Sequence, residues 1–217
     1  YPGIRGAHGT GDVLFGDVAA AGRNSITWYA SEDDLPPPGT VNLYPAEVEG
    51  SHGLSYRFFN GTPAYPFGYG LSYTTFSFSH LMLNQSSAHP CDTISVSVNV
   101  TNTGKVDSDH VIQLYLRQPH ASVPVPNVRL ADFARVHIKA GETVKVDSLL
   151  ITPETHPVVL NGDSKDIYHP TQMVEAGPVE VYVADGLPSL PTTPNTLSSS
   201  FTVTSSSRLQ TCDPAWW

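Results

Sequence analysis

Two parts of the sequence meet at the stretch Pro66-Phe67-Gly68-Tyr69-Gly70-Leu71-Ser72-Tyr73-Thr74-Thr75-Phe76. Aromatic and small residues alternate there, so rings can pack while Gly68 and Gly70 permit backbone conformations or close approaches that a Cβ atom would forbid. Before the stretch the sequence is irregular and rich in glycine and proline, and after it strands with a period of two begin. We therefore predict that it connects the end of one domain to the whole of another.

Downstream, the alternation of side chains predicts a β-sandwich. Apolar residues at every second position from Ile94 to Val100 alternate with Ser95, Ser97, Asn99 and Thr101, which is typical of a strand with one buried and one wet face. Residues 111–116 are apolar on both faces except at Gln113, which predicts a central strand. Further strands are expected over residues 76–83, 129–138, 144–151, 179–184 and 200–204. About seven strands at this spacing indicate a sandwich.

Upstream, little in the sequence supports an independent fold. Residues 4–15 carry three glycines and then an apolar run, which predicts a loop that leads into a short helix ending at Gly16-Asp17. Residues 17–60 lack periodicity and are interrupted at Pro36-Pro37-Pro38-Gly39, so they are expected to form an extended segment on a surface that other residues supply. Residues 152–171 are predicted to be a loop, and residues 187–199 an exposed connector.

Composition and charge exclude several classes of partner. The 217 residues are 40% hydrophobic and 14% charged, which is typical of a globular protein. The formal net charge of -9 disfavours nucleic acid and anionic membrane surfaces, because both need clustered Lys and Arg. No window of about 18 continuous apolar residues is present, so no membrane span is predicted. Glycosylation sequons at Asn60, Asn84 and Asn99 favour a secreted or extracellular protein, and Asn99 falls on the polar face of its strand.

The two cysteines, Cys91 and Cys212, leave two alternatives open. Their even number permits one disulfide, which the secretory interpretation favours, and the other possibility is two buried free thiols. The C-terminal pair Trp216-Trp217 is expected to pack on the parent fold, with stacking on a sugar ring as the alternative.

Four motifs together carry a resemblance to a known family. They are the runs Gly11-Asp12-Val13-Leu14-Phe15-Gly16-Asp17, Ala21-Gly22-Arg23, Tyr56-Arg57-Phe58-Phe59 and Pro66 to Phe76. In order and spacing they are similar to the C-terminal region of glycoside hydrolase family 3, which includes β-glucosidases and β-xylosidases. The chain departs from the family pattern at Ala19-Ala20, at Asn24-Ser25 and at Gly53-Leu54-Ser55.

The resemblance implies a division of the chain into three parts. Residues 1–60, called the arm below, would be the C-terminal segment of an α/β sandwich domain. Residues 61–75, the linker strip, would join it to a fibronectin type III-like (Ig-like) β-sandwich with a C-terminal tail at residues 76–217. The fold class is therefore expected to be mainly β. Packing between domains is assigned to Pro66, Phe67, Gly68, Tyr69, Gly70, Leu71 and Tyr73.

The resemblance also implies that this chain carries no catalytic residue. Members of the family take the nucleophile and the usual acid/base from parts that precede the region matched here. The carboxylates present are interpreted as solvated surface groups, because each lies in a polar, turn-like stretch; they are Glu32, Asp33, Asp34, Glu47, Glu49, Asp107 and Asp109. The histidines are scattered, so neither a metal site nor a cofactor is predicted, and Ser72 is interpreted as structural.

Two functions of different class follow from these observations. The first is the non-catalytic C-terminal portion of a secreted glycosidase, whose partner is another chain carrying the barrel and the rest of the α/β sandwich. The complete assembly would then hydrolyse β-glucosyl or β-xylosyl units. The second is a catalytically inactive glycan-binding, storage or structural protein that retains the scaffold. A free-standing adhesion module is a weaker third possibility, because it leaves residues 1–60 without a role.

Overall fold

The computed structural model describes residue 3 and residues 5–39, 52–160, 171–188 and 195–212. Its helices are α1 (Gly6–Phe15) and α2 (Ser55–Phe58), with 3₁₀ turns at Glu32–Asp34, Pro153–Thr155 and Leu209–Thr211. The strands are β1 (Phe76–Leu83), β2 (Ser87–Ala88), β3 (Ile94–Asn102), β4 (Ser108–Arg117), β5 (Arg129–Ile138), β6 (Thr143–Ile151), β7 (Val158–Leu160), β8 (Thr171–Val174), β9 (Gly177–Ala184), β10 (Thr196–Val203) and β11 (Ser207–Arg208). The predicted fold class, mainly β with a sandwich that follows the arm, is confirmed.

Two sheets form the sandwich. One has three strands in the order β1-β3-β6, and the other has five in the order β2-β10-β9-β4-β5. All pairs within them are antiparallel except β2 with β10, which is parallel. A small third sheet has the order β11-β8-β7. Strand β4 lies between β9 and β5, as its apolar sequence predicted.

The core lies between the two main sheets. Alternate residues of β3 are fully buried, and they pack with the inward residues of β4, β5, β6, β9 and β10 into one cluster. The largest of these side chains are Phe201, Ile94, Ile112, Leu114, Ile138, Leu149 and Ile151. Asn99 is half-buried on the opposite face of β3, next to Ser79 and Lys145 of the neighbouring strands. The period of two in the sequence therefore separates core from surface as expected.

Helix α1 occupies the glycine-containing segment that was predicted to be partly loop. The prediction was wrong in that Gly9 and Gly11 lie inside the helix, because a glycine costs a helix only about 1 kcal/mol and does not exclude it. The helix ends where Gly16 adopts φ +85° and donates its N–H to the carbonyl of Val13 at 3.2 Å, as the predicted glycine stop requires. None of its residues is buried in the described part of the chain.

Two of the predicted loops contain strand. Residues 152–171 hold a 3₁₀ turn and then β7, which pairs with β8, and residues 161–170 lie outside the described residues. The connector predicted at residues 187–199 ends earlier, because β10 begins at Thr196 and pairs with β9 from Thr196 to Val203. In β10, pairing with the neighbouring strand overrides a polar local sequence, and β7 is a three-residue apolar segment that pairing with β8 makes a strand. The tail with Trp216 and Trp217 also lies outside the described residues.

Candidate functional site at the junction of arm and sandwich

The arm is held to the linker strip by backbone pairing around Asn24. The Asn24 N–H donates to the carbonyl of Tyr69 at 2.8 Å, and the Gly68 N–H donates to the carbonyl of Asn24 at 2.7 Å. The side-chain Nδ2 of Asn24 also donates to the carbonyls of Pro66 at 3.0 Å and Ile26 at 2.7 Å. This asparagine is one of the departures from the family pattern, and here it satisfies backbone carbonyls on both segments.

A buried amide on the sandwich fixes the linker strip from the other side. Gln113, which is 3% exposed on β4, donates from Nε2 to the carbonyl of Gly68 at 3.2 Å. Its Oε1 accepts from the hydroxyl of Tyr115 at 2.5 Å. Gly68 has φ +78°, and a Cβ atom there would overlap the Gln113 side chain. Burial raises the pKa of Tyr115, so the phenol stays protonated and remains a donor.

Aromatic rings fill the space beside this amide. Phe67 stacks on Tyr56 of α2 with ring centroids 4.1 Å apart and an interplanar angle of 18°. Tyr56 in turn meets Tyr115 edge-on at 6.4 Å, and its hydroxyl accepts from the N–H of Leu130 at 3.3 Å. One residue of the arm, one of the linker strip and two of the sandwich thus share a single packed cluster.

A second anchor joins Arg23 of the arm to His110 of β4. Arg23 Nη2 donates to His110 Nδ1 at 3.1 Å, which requires a neutral imidazole with its proton on Nε2. His110 is 1% exposed and stacks on Phe76 at 3.9 Å. Burial, assisted by the Arg23 charge, lowers the pKa of His110 to about 3. Gly70 lets this approach occur, because a Cβ atom there would overlap the Arg23 guanidinium.

The residues assigned to interdomain packing divide into two groups. Pro66 and Gly68 are buried, and Phe67, Tyr69 and Gly70 are half-buried against arm or sandwich. Leu71 and Tyr73 are exposed, and the Tyr73 hydroxyl reaches back to the carbonyl of Val13 in α1 at 2.6 Å. Sequence reasoning did not identify four contributors to the junction: Arg23, Asn24, His110 and Tyr115. Gln113 gave a signal, as the one polar residue in an apolar strand.

Apart from Asn60, whose side-chain amide accepts a hydrogen bond from Asn127 of the sandwich, the other predicted residues in the described part of the chain lie away from the junction. Cys91 and Cys212 form a disulfide across 121 residues, which resolves the two alternatives in favour of the bridge. Asp109 binds Arg135 and His137 at 2.7 and 2.8 Å, and these partners lower the pKa of its carboxyl, the His137 hydrogen bond most strongly. Asp33 and Asp34 lie at the 3₁₀ turn that Ser31 caps. Glu47 and Glu49 lie outside the described residues. Asn60 and Asn84 are exposed.

Exposed apolar side chains concentrate in the arm and the linker strip. Among the described residues, nine of the fourteen large exposed hydrophobics belong to residues 1–75: Leu14, Phe15, Val18, Ile26, Trp28, Leu35, Tyr65, Leu71 and Tyr73. Phe15 is 87% exposed and Leu14 is 72% exposed, so the side chains of both are largely in contact with solvent. The exposed apolar surface of the described residues is therefore concentrated in the arm and the linker strip and not on the sandwich.

Two family models match the chain. Residues 1–73 match the glycosyl hydrolase family 3 C-terminal domain, and residues 110–186 match a fibronectin type III-like domain. No helix among the described residues is long and apolar enough to cross a membrane.

Relatives and solved structures agree with both models. The chain is 38% identical over 170 residues to a β-xylosidase of Formosa agariphila and 31% identical over 194 residues to the β-glucosidase BoGH3A of Bacteroides ovatus. These alignments cover 78% and 85% of the chain but 23% and 25% of the relatives. The structure of β-glucosidase 3B from Thermotoga neapolitana matches with a TM-score of 0.74 and 29% identity, over 94% of this chain and 27% of that one. The chain thus spans about a quarter of the length of these proteins, and it belongs to the C-terminal region of glycoside hydrolase family 3.

Proposed function

We propose that this chain is the non-catalytic C-terminal portion of a secreted family 3 glycosidase-like protein, in which it completes and stabilises the α/β sandwich. The hydrolysis of β-glucosyl or β-xylosyl units then belongs to the complete assembly. The supporting relatives include a β-xylosidase and a β-glucosidase, and the chain aligns with only a quarter of each. The other three quarters are expected to supply the barrel, the rest of the α/β sandwich and the pair of carboxylates that glycoside hydrolysis requires.

The observation that carries this proposal is the exposure of the apolar residues around α1. Burying a Phe side chain contributes about 1.5–3 kcal/mol to stability relative to leaving it in water. Phe15 and Leu14 are nevertheless exposed, while the same chain buries Phe76 and Phe201 in the sandwich. We infer that the rest of the α/β sandwich covers α1, and that carbohydrate is bound by the assembly.

The junction supports this role because it holds the arm in one place on the sandwich. Gln113 and His110 each contact the linker strip or the arm from β4, which is a central strand of the larger sheet. A rigid strand that fixes the arm restricts where α1 can lie. The sandwich then acts as a support that presents the arm to its partner surface.

The substitution Phe15→Asp in the full-length protein tests this proposal. We expect it to reduce hydrolysis of aryl β-glucosides and β-xylosides at least tenfold and to make the arm sensitive to limited proteolysis, because a charge would enter an apolar interface. Phe133→Asp is the matched control, since Phe133 is 62% exposed on β5 of the sandwich and is expected to keep full activity.

Two outcomes would contradict the proposal. Equal activity in Phe15→Asp and in the control would mean that α1 does not meet the rest of the protein. A full-length wild type that binds glycans on an array but turns over neither substrate would favour the inactive glycan-binding protein. That second candidate is motivated by the family departures at Gly53-Leu54-Ser55.

A further inference from the structure

We propose that Asn60 carries an N-linked glycan whose first N-acetylglucosamine packs into a cavity between the arm and the sandwich. The cavity has a volume of about 410 Å³ and is lined by Phe59, Arg117, Asn127, Val128, Tyr182 and Asn60 itself. The proposal rests on the secretion proposed above, because the modification occurs in a secretory pathway.

The chain presents the sequon Asn60-Gly61-Thr62 at a bend. The Asn60 N–H is held by the carbonyl of His52 at 2.8 Å, while the Asn60 side chain is exposed. A Cβ atom at residue 61 would overlap the ring of Phe59, so the glycine lets the bend close over that ring. The sequon is therefore fixed in the backbone and open at the side chain.

A hydrogen bond from the sandwich orients the Asn60 amide. Asn127 Nδ2 donates to Asn60 Oδ1 at 3.1 Å, which leaves Asn60 Nδ2 without a hydrogen-bond partner among the described residues. Nδ2 is the atom that a glycan modifies. The Asn127 backbone is itself fixed, because its N–H donates to the carbonyl of Arg57 at 2.7 Å. Asn60 therefore lines the cavity with its backbone held by His52 and its side-chain amide held by Asn127.

The walls of the cavity suit a sugar ring. Phe59, Val128 and Tyr182 supply apolar surface for the C–H face of a pyranose, and Arg117 and Asn127 supply donors for its hydroxyl and acetamido oxygens. The Arg117 guanidinium is placed by Glu180 at 3.5 Å, and the same carboxylate accepts from the Tyr182 hydroxyl at 2.7 Å. Ligand pockets commonly combine apolar walls with a few placed polar groups in volumes from about 300 Å³ upward.

The modification itself is a transfer from a lipid-linked donor. Asn60 Nδ2 forms a bond to the anomeric carbon of an oligosaccharide carried on a polyprenyl diphosphate. The bond from that carbon to the phosphate oxygen breaks, and the lipid diphosphate leaves with the electron pair. Nδ2 gives up one proton to a base. The transferase and the donor come from the membrane of the secretory pathway, and Thr62 completes the sequon that the transferase recognises.

The test is glycopeptide mass spectrometry of the full-length protein, expressed behind a secretory leader in a eukaryotic host. We expect Asn60 to be occupied and Asn60→Gln to lose the glycan from that peptide alone. On the folded protein, a peptide N-glycosidase should release the Asn60 glycan at least tenfold more slowly than one at Asn99, which lies mid-strand on the outer face of β3. After denaturation both should be released at the same rate.

Variants of the cavity separate packing from occupancy. Arg117→Ala, at an exposed ion pair, should raise the native release rate at Asn60 at least threefold without changing its occupancy. Lys145→Ala, beside Asn99, should leave the Asn60 rate unchanged. An unmodified Asn60 in secreted protein overturns the proposal, as does native release equal to that of Asn99. Because the leader forces secretion, either result is distinguishable from a natural protein that is not secreted.

Discussion

The arm and the sandwich both contain large apolar residues, but the sandwich buries its apolar residues while the arm leaves Leu14 and Phe15 exposed. In the sandwich, Val96, Val98, Ile112 and Leu114 are fully buried between two sheets that the same chain supplies. In the arm, Leu14 and Phe15 stand in solvent. The difference teaches that a segment buries its apolar residues only when the chain supplies a second layer that packs against them, as the two sheets do for each other. The described residues of the arm contain one helix of ten residues, one of four and a 3₁₀ turn, and this is the physical basis of our proposal that another part of the protein covers the arm.

The largest effect we expect is a loss of stability in acid through His110 and His156. Burial lowers the pKa of His110 to about 3 and that of His156 to about 4, with further lowering from Arg23 and Arg129 respectively, while a backbone hydrogen bond and then Glu154 act in the opposite direction at His156. Above about pH 6.5 neither state binds a proton. Below about pH 6.5 the unfolded chain binds protons at these histidines and the folded chain does not. The free energy of unfolding therefore decreases as the pH is lowered, down to about pH 4 for His156 and about pH 3 for His110.

Each histidine contributes a slope of up to about 1.4 kcal/mol per pH unit in this range. Urea titrations of the full-length protein between pH 7 and pH 4 would measure it. His110→Gln at the junction and His156→Gln in the sandwich should each remove that histidine's contribution to the slope of the free energy of unfolding against pH. A slope that only His156→Gln reduces would show that the arm does not bury His110 in solution.

The next effect compares one core position with one position of the arm. Ile112→Ala should lower the free energy of unfolding by about 2–5 kcal/mol, because it leaves a cavity where Ile112 is fully buried. Leu14→Ala should change the stability of the isolated chain by less than about 0.5 kcal/mol, because Leu14 is exposed. In the full-length protein the cost of Leu14→Ala should rise. Denaturant unfolding of both forms measures this, and an equal, small cost in both would mean that α1 stays uncovered.

A smaller effect is expected at the linker strip. Gly68→Ala should destabilise the protein by about 1–3 kcal/mol for the positive φ, and further for the overlap with Gln113. Gly141→Ala is the matched control, because Gly141 has φ +77° but open space around its Cβ position. The difference between the two melting temperatures isolates the contact with the sandwich. Equal decreases in melting temperature for the two variants would mean that the Gln113 side chain moves away from the added Cβ atom at position 68 without loss of stability.

The smallest effect should be local to α1. Tyr73→Phe removes the hydrogen bond to the carbonyl of Val13, which is worth less than about 1.5 kcal/mol at an exposed site. Amide hydrogen exchange in α1 should accelerate in the isolated chain, while amides of β3 and the melting temperature of the sandwich stay unchanged. Tyr65→Phe serves as control, since Tyr65 is exposed on the linker strip and contacts the ring of Tyr69, not α1. Unaltered exchange in α1 would show that other contacts hold the helix.

The sandwich was more predictable than the junction for a physical reason. Strand β3 could be predicted from alternation over eight residues, and the end of α1 from the glycine at position 16. Both signals can be recognised in sequence because each involves only residues that are close together in the chain. The pairing of β7 with β8 was missed because Val158–Leu160 is too short to show a period. Gln113 was visible as a lone polar residue, but its burial depends on Gly68 and Tyr115, which are 45 and 2 residues away.

The amino-acid sequence by itself determined the class of fold and the family, because alternation and ordered motifs are local properties of the chain. Only the tertiary structure decided that Arg23 meets His110, that Cys91 pairs with Cys212 and that a cavity opens beside Asn60. The two contacts join residues 87 and 121 positions apart, and Asn60 and Tyr182, which line the same cavity, are 122 positions apart. Separations of this length leave no periodic trace in sequence, since they depend on how the sheets stack and where the arm crosses them.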